Sequence, residues 1–244
     1  MLKIIRYFLI MTYMAITFVI GIIVCFARPS NSNNLYLCAK ILAYKSFAIL
    51  GINFEKRSMQ QLGDLGPAVY MSNHQNNLDI LPGAACILPR TVLLGKSSVM
   101  WIPIFGQFFW LSGNILIDRN NSEKAKASMR KVTRKILDKK LSVWLMPEGT
   151  RSRGRGLLPF KKGGFITAIE AQVPIVPIVY CSYTKKIDLS KWRSGKIIGK
   201  VLDPISTKGL TLLDVPALMT STHTLMKATL DDLDQEMSIL RMPV

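Results

Sequence analysis

From Tyr7 to Phe26 the chain reads YFLIMTYMAITFVIGIIVCF, without one charge, and no other feature of the 244 residues restricts the fold as strongly. A helix of that length extends ~30 Å, about the hydrocarbon thickness of a bilayer. Lys3 and Arg6 ahead of it also suit the basic start of a cleaved signal peptide. Against that rival, the apolar part exceeds the usual signal core, and Cys25-Phe26-Ala27 is a poor small-x-small cleavage site. The expectation is a membrane anchor. A second apolar stretch, Leu35–Ile52, is interrupted by Lys40 and Lys45, which suits a helix with snorkelling lysines or an ordinary core helix. Basic residues flank the first segment on both sides, so the positive-inside rule leaves a crossing helix and an in-plane hairpin both open.

Beyond the turn-forming RPSNSNN at 28–34, short β-rich runs alternate with helical patterns. Ile52–Lys56, Ala68–Ser72, Thr91–Leu94, Ile115–Ile117, Leu141–Met146, Ile175–Tyr180 and Lys196–Leu202 read as strands. Leu78–Leu88, Ser122–Lys139, Gly164–Ala171 and Leu213–Leu240 read as helices. Strand–helix alternation predicts an α/β fold: a mixed, largely parallel sheet flanked by helices. The expected division is an N-terminal hydrophobic helical membrane anchor over 1–54 and one α/β domain over 55–244.

Lys and Arg total 32 against 15 Asp and Glu, for a net charge of +17, which calls for an anionic partner. Much of the excess lies between Arg90 and Lys162. The 122–140 helix has an apolar seam at Ala125, Met129, Val132 and Ile136 among many Lys and Arg. It reads either as a core-packed helix with a solvated basic face or as a docking face for anionic lipid or an acidic carrier. No nucleic-acid-binding motif accompanies the charge, so nucleic acid is not an expected partner. Cys25, Cys38, Cys86 and Cys181 are scattered without C-x-x-C spacing, which argues against a zinc site or a disulfide framework.

Three stretches carry chemistry. In SNHQNNLD, His74 follows a strand and Asp79 opens a helix. A carboxylate there can fix one imidazole nitrogen and leave the other to take a proton, although a structural loop histidine fits the same spacing. G-x-S-x-G is absent, and Ser72 remains a minor option as nucleophile. A base without a protein nucleophile points to a substrate that supplies its own, such as an alcohol. In MPEGTRSRGRG (146–156), a strand runs into a Gly-rich turn with three arginines, the composition of a phosphate site or of a basic surface loop. In SGNILIDRNN (112–121), a buried strand delivers Asp118 and Arg119 at its end, where ligands of α/β sheets commonly bind, although a structural Asp–Arg surface pair fits the same residues. His223, on a helix with polar neighbours, reads as a surface or cap residue.

Taken in order, His74-x4-Asp79 (an HX4D motif), Gly113-x5-Arg119, Pro147-Glu148-Gly149-Thr150-Arg151-Ser152 and Val173-Pro174-Ile175-Val176-Pro177 resemble the four motifs of the glycerolipid acyltransferase family, especially its bacterial branch that acylates lysophosphatidate. The likeness runs from about residue 65 to 181. It implies phospholipid biosynthesis at the cell's inner membrane, with the active site facing the cytoplasm. His74 would be the base and Asp79 its orienting partner. Arg119 and Arg151 would hold the glycerol phosphate, Glu148, Gly149 and Thr150 would shape that site, and Lys96 would add charge. The implied acyl donor is acyl-CoA or acyl-carrier protein as co-substrate, with no other cofactor and no metal. The implied partners are lysophosphatidate, the donor and an anionic phospholipid membrane. Two alternatives stay open: the same fold acting on glycerol-3-phosphate or another lysolipid, and a basic membrane-associated binding protein without enzymatic activity.

Overall fold

A computed structural model describes residues 1–62, 65–118 and 122–239. Two helices come first: α1 (Leu2–Ala27) and α2 (Asn34–Leu50). The remaining elements are β1 (Ile52–Arg57), β2 (Val69–Ser72), α3 (Ile80–Cys86), β3 (Thr91–Lys96), α4 (Phe105–Leu111), β4 (Ile115–Ile117), α5 (Ser122–Lys139), β5 (Ser142–Leu145), α6 (Gly163–Ala171), β6 (Ile175–Tyr180), β7 (Gly195–Val201) and α7 (Val215–Ile239). All seven expected strands form, in the spatial order β1-β7-β6-β2-β5-β3-β4.

Neighbours from β6 to β4 pair in parallel, while β7 runs antiparallel to β6 and carries β1 parallel to itself. The sheet is therefore mixed and largely parallel, as expected. The boundary expected at residue 54 falls inside β1, because Ile52, Asn53 and Phe54 already pair with Gly195, Lys196 and Ile197.

Period-two alternation divides the core. Tyr70 and Trp144 face a cluster with Phe18, Leu42 and Leu81 from α1, α2 and α3, while Val69, Met71, Val143 and Leu145 face Val132, Ile136, Phe165 and Ile169 from α5 and α6. Strand β2 is fully buried, as a central strand covered on both faces must be. The apolar seam of α5 packs into the core at Val132 and Ile136, and Arg130, Lys131 and Arg134 of the same helix are exposed.

One helix is absent from the sequence reading. Residues Ser97–Trp101 form a 3-10 turn and α4 follows, in a stretch with no helical apolar period. Tertiary packing explains it: the Phe18 ring of α1 stacks on Phe108 at 5.6 Å and meets Phe105 at 4.9 Å.

Helix α1 is long and apolar enough to cross a membrane by length and composition. Its contacts, however, run along the α/β body. At its start, buried Arg6 donates to the carbonyls of Leu189, at 3.1 Å, and Trp192, at 2.6 Å, and to Ser194 Oγ, at 2.7 Å. Gly51, left-handed at the end of α2, leaves the space through which that guanidinium reaches Trp192. At the far end, Asn33 in the α1–α2 turn accepts a hydrogen bond from the Arg90 amide at 2.9 Å. The opposite face of α1 leaves Ile4, Phe8, Met11, Ile16, Ile23 and Phe26 exposed.

Candidate active site

The C-terminal ends of β2, β5, β3 and β4 lie at one pole, because these strands run parallel. His74 sits two residues beyond β2, Glu148 three beyond β5, and Lys96 ends β3. The chain leaves β2 for β3 on one side and leaves β5 for β6 on the other, so the pole opens where the winding reverses.

The loop after β2 holds its shape through its own polar side chains. Asn76 accepts from the Leu78 amide while Asp79 accepts from the Asn76 amide, a capping box that starts a 3-10 turn leading into α3. That turn places Asp79 Oδ2 2.6 Å from His74 Nδ1. The same oxygen also accepts the Gln75 amide at 2.6 Å and the Asn76 amide at 3.0 Å. Asp79 Oδ1 accepts the hydroxyl of Tyr183. The carboxylate is sealed at 1% exposure while the imidazole keeps 17%, so one side of the ring is reachable from outside. Among the described residues His74 Nε2 has no hydrogen-bond partner. An imidazole pinned through Nδ1, with Nε2 presented to a substrate, can take a proton at Nε2.

The residues flanking His74 lock the loop to the end of β6. Asn73 brackets Tyr180, donating to its carbonyl and accepting from its amide, each at 2.8 Å. Gln75 donates to the Cys181 carbonyl at 2.8 Å and accepts from the Tyr183 amide at 3.0 Å. The amides crowding the sequence around His74 are therefore buried structural donors and acceptors.

The Gly-rich loop after β5 docks on the same segment. The Ser152 amide donates to the His74 carbonyl at 2.7 Å, and the Arg153 amide to Gln75 at 3.0 Å. Glu148 is buried; one oxygen accepts the His74 amide at 2.6 Å and the other the Leu158 amide at 3.0 Å. Burial pushes its carboxyl up from 4.5 to about 7, against the two amide bonds, with the Asp79 charge adding to the rise. Gly149 turns at a φ of +69°, and the Lys161 stem lies where its side chain would be. Thr150 and Arg151 follow, with Arg151 exposed.

His74, Asp79, Glu148 and Gly149 are thus brought together. Lys96, Thr150 and Arg151 stand at the same pole, but among the described residues no hydrogen bond or ion pair joins them to His74. Arg119 lies outside the described residues.

Ser72 is not available as a nucleophile: it is fully buried in β2 and its Oγ accepts the Trp144 indole N–H at 3.0 Å. His223 stands edge-on to Phe160 at 4.7 Å, and among the described residues no hydrogen bond or ion pair joins it to His74 or Asp79. Val173–Pro177 leads into the wholly buried β6, a structural role for its side chains. Tyr183 escaped the sequence reading, because nothing in YCSYTKK sets it apart from a strand end. No group of three or more His, Cys, Asp or Glu that could hold a metal ion occurs among the described residues.

A profile of the acyltransferase family matches residues 53–181. The 1-acyl-sn-glycerol-3-phosphate acyltransferase of Haemophilus influenzae is 41% identical over 98% of this chain and 99% of its own length. The protein of the same name from Escherichia coli is 37% identical over 98% of this chain and 97% of its own. The crystal structure of the 1-acyl-sn-glycerophosphate (LPA) acyltransferase PlsC from Thermotoga maritima shares the fold, with a TM-score of 0.76 over 95% of this chain and 94% of that one, at 18% identity.

Proposed function

The chain belongs to the acyltransferase family, and we propose that it transfers a fatty acyl group from an acyl thioester to the sn-2 hydroxyl of 1-acyl-glycerol-3-phosphate, forming phosphatidate. The observation that carries this reading is the imidazole held through Nδ1 by a buried aspartate, with Nε2 open, in a chain matched almost end to end by relatives of that name.

The acceptor hydroxyl gives its proton to His74 Nε2 as its oxygen attacks the thioester carbonyl. Asp79 holds the ring tautomer and stabilises the imidazolium as it forms. When the tetrahedral intermediate collapses, the C–S bond breaks and the imidazolium returns the proton to the departing thiolate. The acyl group passes directly between substrates. Arg151 and Arg119 bind the acceptor phosphate, since a guanidinium fork matches phosphate oxygens in pairs. Lys96 adds charge at that pole. Glu148 shapes the site from beneath by holding the His74 amide, and Gly149 and Thr150 form the turn that presents Arg151.

The enzyme works on the inner membrane from its cytoplasmic side. Arg6, Phe18 and Asn33 tie the α1–α2 hairpin to the α/β body along its length. That geometry favours α1 lying in the membrane interface, with Ile4, Phe8, Met11 and Ile23 toward the acyl chains, over a span leading away from the domain. The pole carrying His74 then meets a lipid whose phosphate and free hydroxyl lie at the interface.

The test is an assay of purified enzyme with lysophosphatidate, glycerol-3-phosphate and neutral or zwitterionic lysolipids, each offered with acyl-CoA and with acyl-carrier protein. Phosphatidate from lysophosphatidate is the expected dominant product, and preference for another acceptor overturns the assignment. His74→Ala is expected to lose at least ~10²-fold in turnover while remaining folded and membrane-bound.

A further inference from the structure

We infer that Tyr183 is a positioning residue for the reaction, acting through the Asp79 carboxylate to hold the His74 ring in its working orientation. The inference deepens the assignment of His74 as base and rests on it.

Asp79 divides its hydrogen bonds unequally. Oδ2 takes His74 Nδ1 and the amides of Gln75 and Asn76, all from its own loop. The other oxygen takes the Tyr183 hydroxyl, from a segment 104 residues away. The local bonds fix where one oxygen sits, but a carboxylate can still rotate about the axis through that oxygen. A donor on Oδ1 fixes the second point and thereby the carboxylate plane. That plane sets the direction from which His74 Nδ1–H is held, and so the direction in which Nε2 faces the substrate.

Tyr183 is itself built to stay in place. Its side chain is fully buried, and its own amide is held by Gln75 Oε1. Asn73 and Gln75 clasp the 180–183 segment on either side of His74, so the phenol and the base belong to one interlocked unit. The Tyr183 ring touches neither the open Nε2 side nor the arginines of the 146–156 loop through any hydrogen bond among the described residues. Its influence on the reaction therefore runs through Asp79 and should fall on turnover.

The experiment uses the full chain in detergent micelles with 1-oleoyl-lysophosphatidate and oleoyl-CoA. Tyr183→Phe removes one oxygen and keeps the ring that fills the core. It is expected to lower kcat about tenfold, the effect of removing one hydrogen bond to a charged group, with KM for both substrates within about twofold. In an Asp79→Asn background the same substitution is expected to cost less than about twofold more, because a residue acting through Asp79 loses its lever when the carboxylate is gone. An unchanged kcat, a change confined to KM, or the same loss in both backgrounds overturns the inference. His74→Ala, run in parallel, separates this from the underlying assignment. Parental turnover in that variant removes the base itself. An inactive His74→Ala beside a fully active Tyr183→Phe removes only the role given to the tyrosine.

Discussion

Glu148 ties the pH dependence of stability to the architecture of the site. It is buried beneath the His74 loop, and burial lifts its carboxyl from 4.5 to about 7. A carboxyl raised on folding is bound more tightly by its proton in the native state than in the unfolded chain. Its contribution is therefore fully present below about 4.5 and is lost as pH rises to about 7. Each tenfold in proton affinity is ~1.4 kcal/mol, so that rise corresponds to about 3 kcal/mol.

Glu148→Gln cannot titrate there, and its amide nitrogen turns a donor toward either the His74 or the Leu158 amide. It should be less stable than the parent at acid pH, by about 1–3 kcal/mol for the lost acceptor. The informative quantity is the stability difference between parent and variant, measured by urea unfolding in micelles from pH 4.5 to 8, because every other titrating group cancels in it. The parent's advantage should shrink by about 3 kcal/mol across that range and then level off. A difference that stays flat with pH refutes the reasoning and implies that the amide bonds to Glu148 offset its desolvation.

Arg151→Ala should raise KM for lysophosphatidate more than KM for the thioester, and Arg151→Lys should recover only part of the loss, since lysine offers a point charge in place of a fork; initial-rate kinetics varying each substrate separate the two. Removing residues 1–52 takes away the hairpin and the first residue of β1. It should impair activity on bilayer-embedded lysophosphatidate more than on a short-chain soluble analogue, provided circular dichroism shows the remainder folded, because each CH₂ pulled into water costs about 0.8 kcal/mol. Equal losses on both acceptors would count against in-membrane delivery. Gly51→Ala puts a Cβ against the Arg6 guanidinium and the Trp192 carbonyl at a φ of +65°. It should destabilise the docked hairpin by ~1 kcal/mol or more and expose α1 to limited proteolysis, whereas an unchanged digestion pattern would mean that Arg6 does not hold the helix.

Local chemistry determined much of this protein without help from the fold. An uncharged run of bilayer length, seven β-rich runs between turn residues, and helices with a 3.6-residue apolar stripe are all properties of neighbouring residues, and they appear where their patterns place them. His74 and Asp79 were legible for the same reason: they share one short loop whose capping box sets their spacing, even though contacts from β6 and the 146–156 loop hold that loop in place. Tertiary structure decided what neighbours cannot. Helix α4 has no apolar period of its own and exists against Phe18 of α1, some ninety residues earlier. The insertion of β5 between β2 and β3 brings Glu148 under the His74 amide, and that strand order is written in no local pattern. Arg6 looked like the basic flank of a membrane segment until the 189–194 carbonyls closed around it, and with that contact α1 lay along the domain. Tyr183 became visible only when β6 settled beside β2. A hydrogen bond depends on distance in space, and for residues more than a hundred positions apart that distance is set by the sheet that joins them.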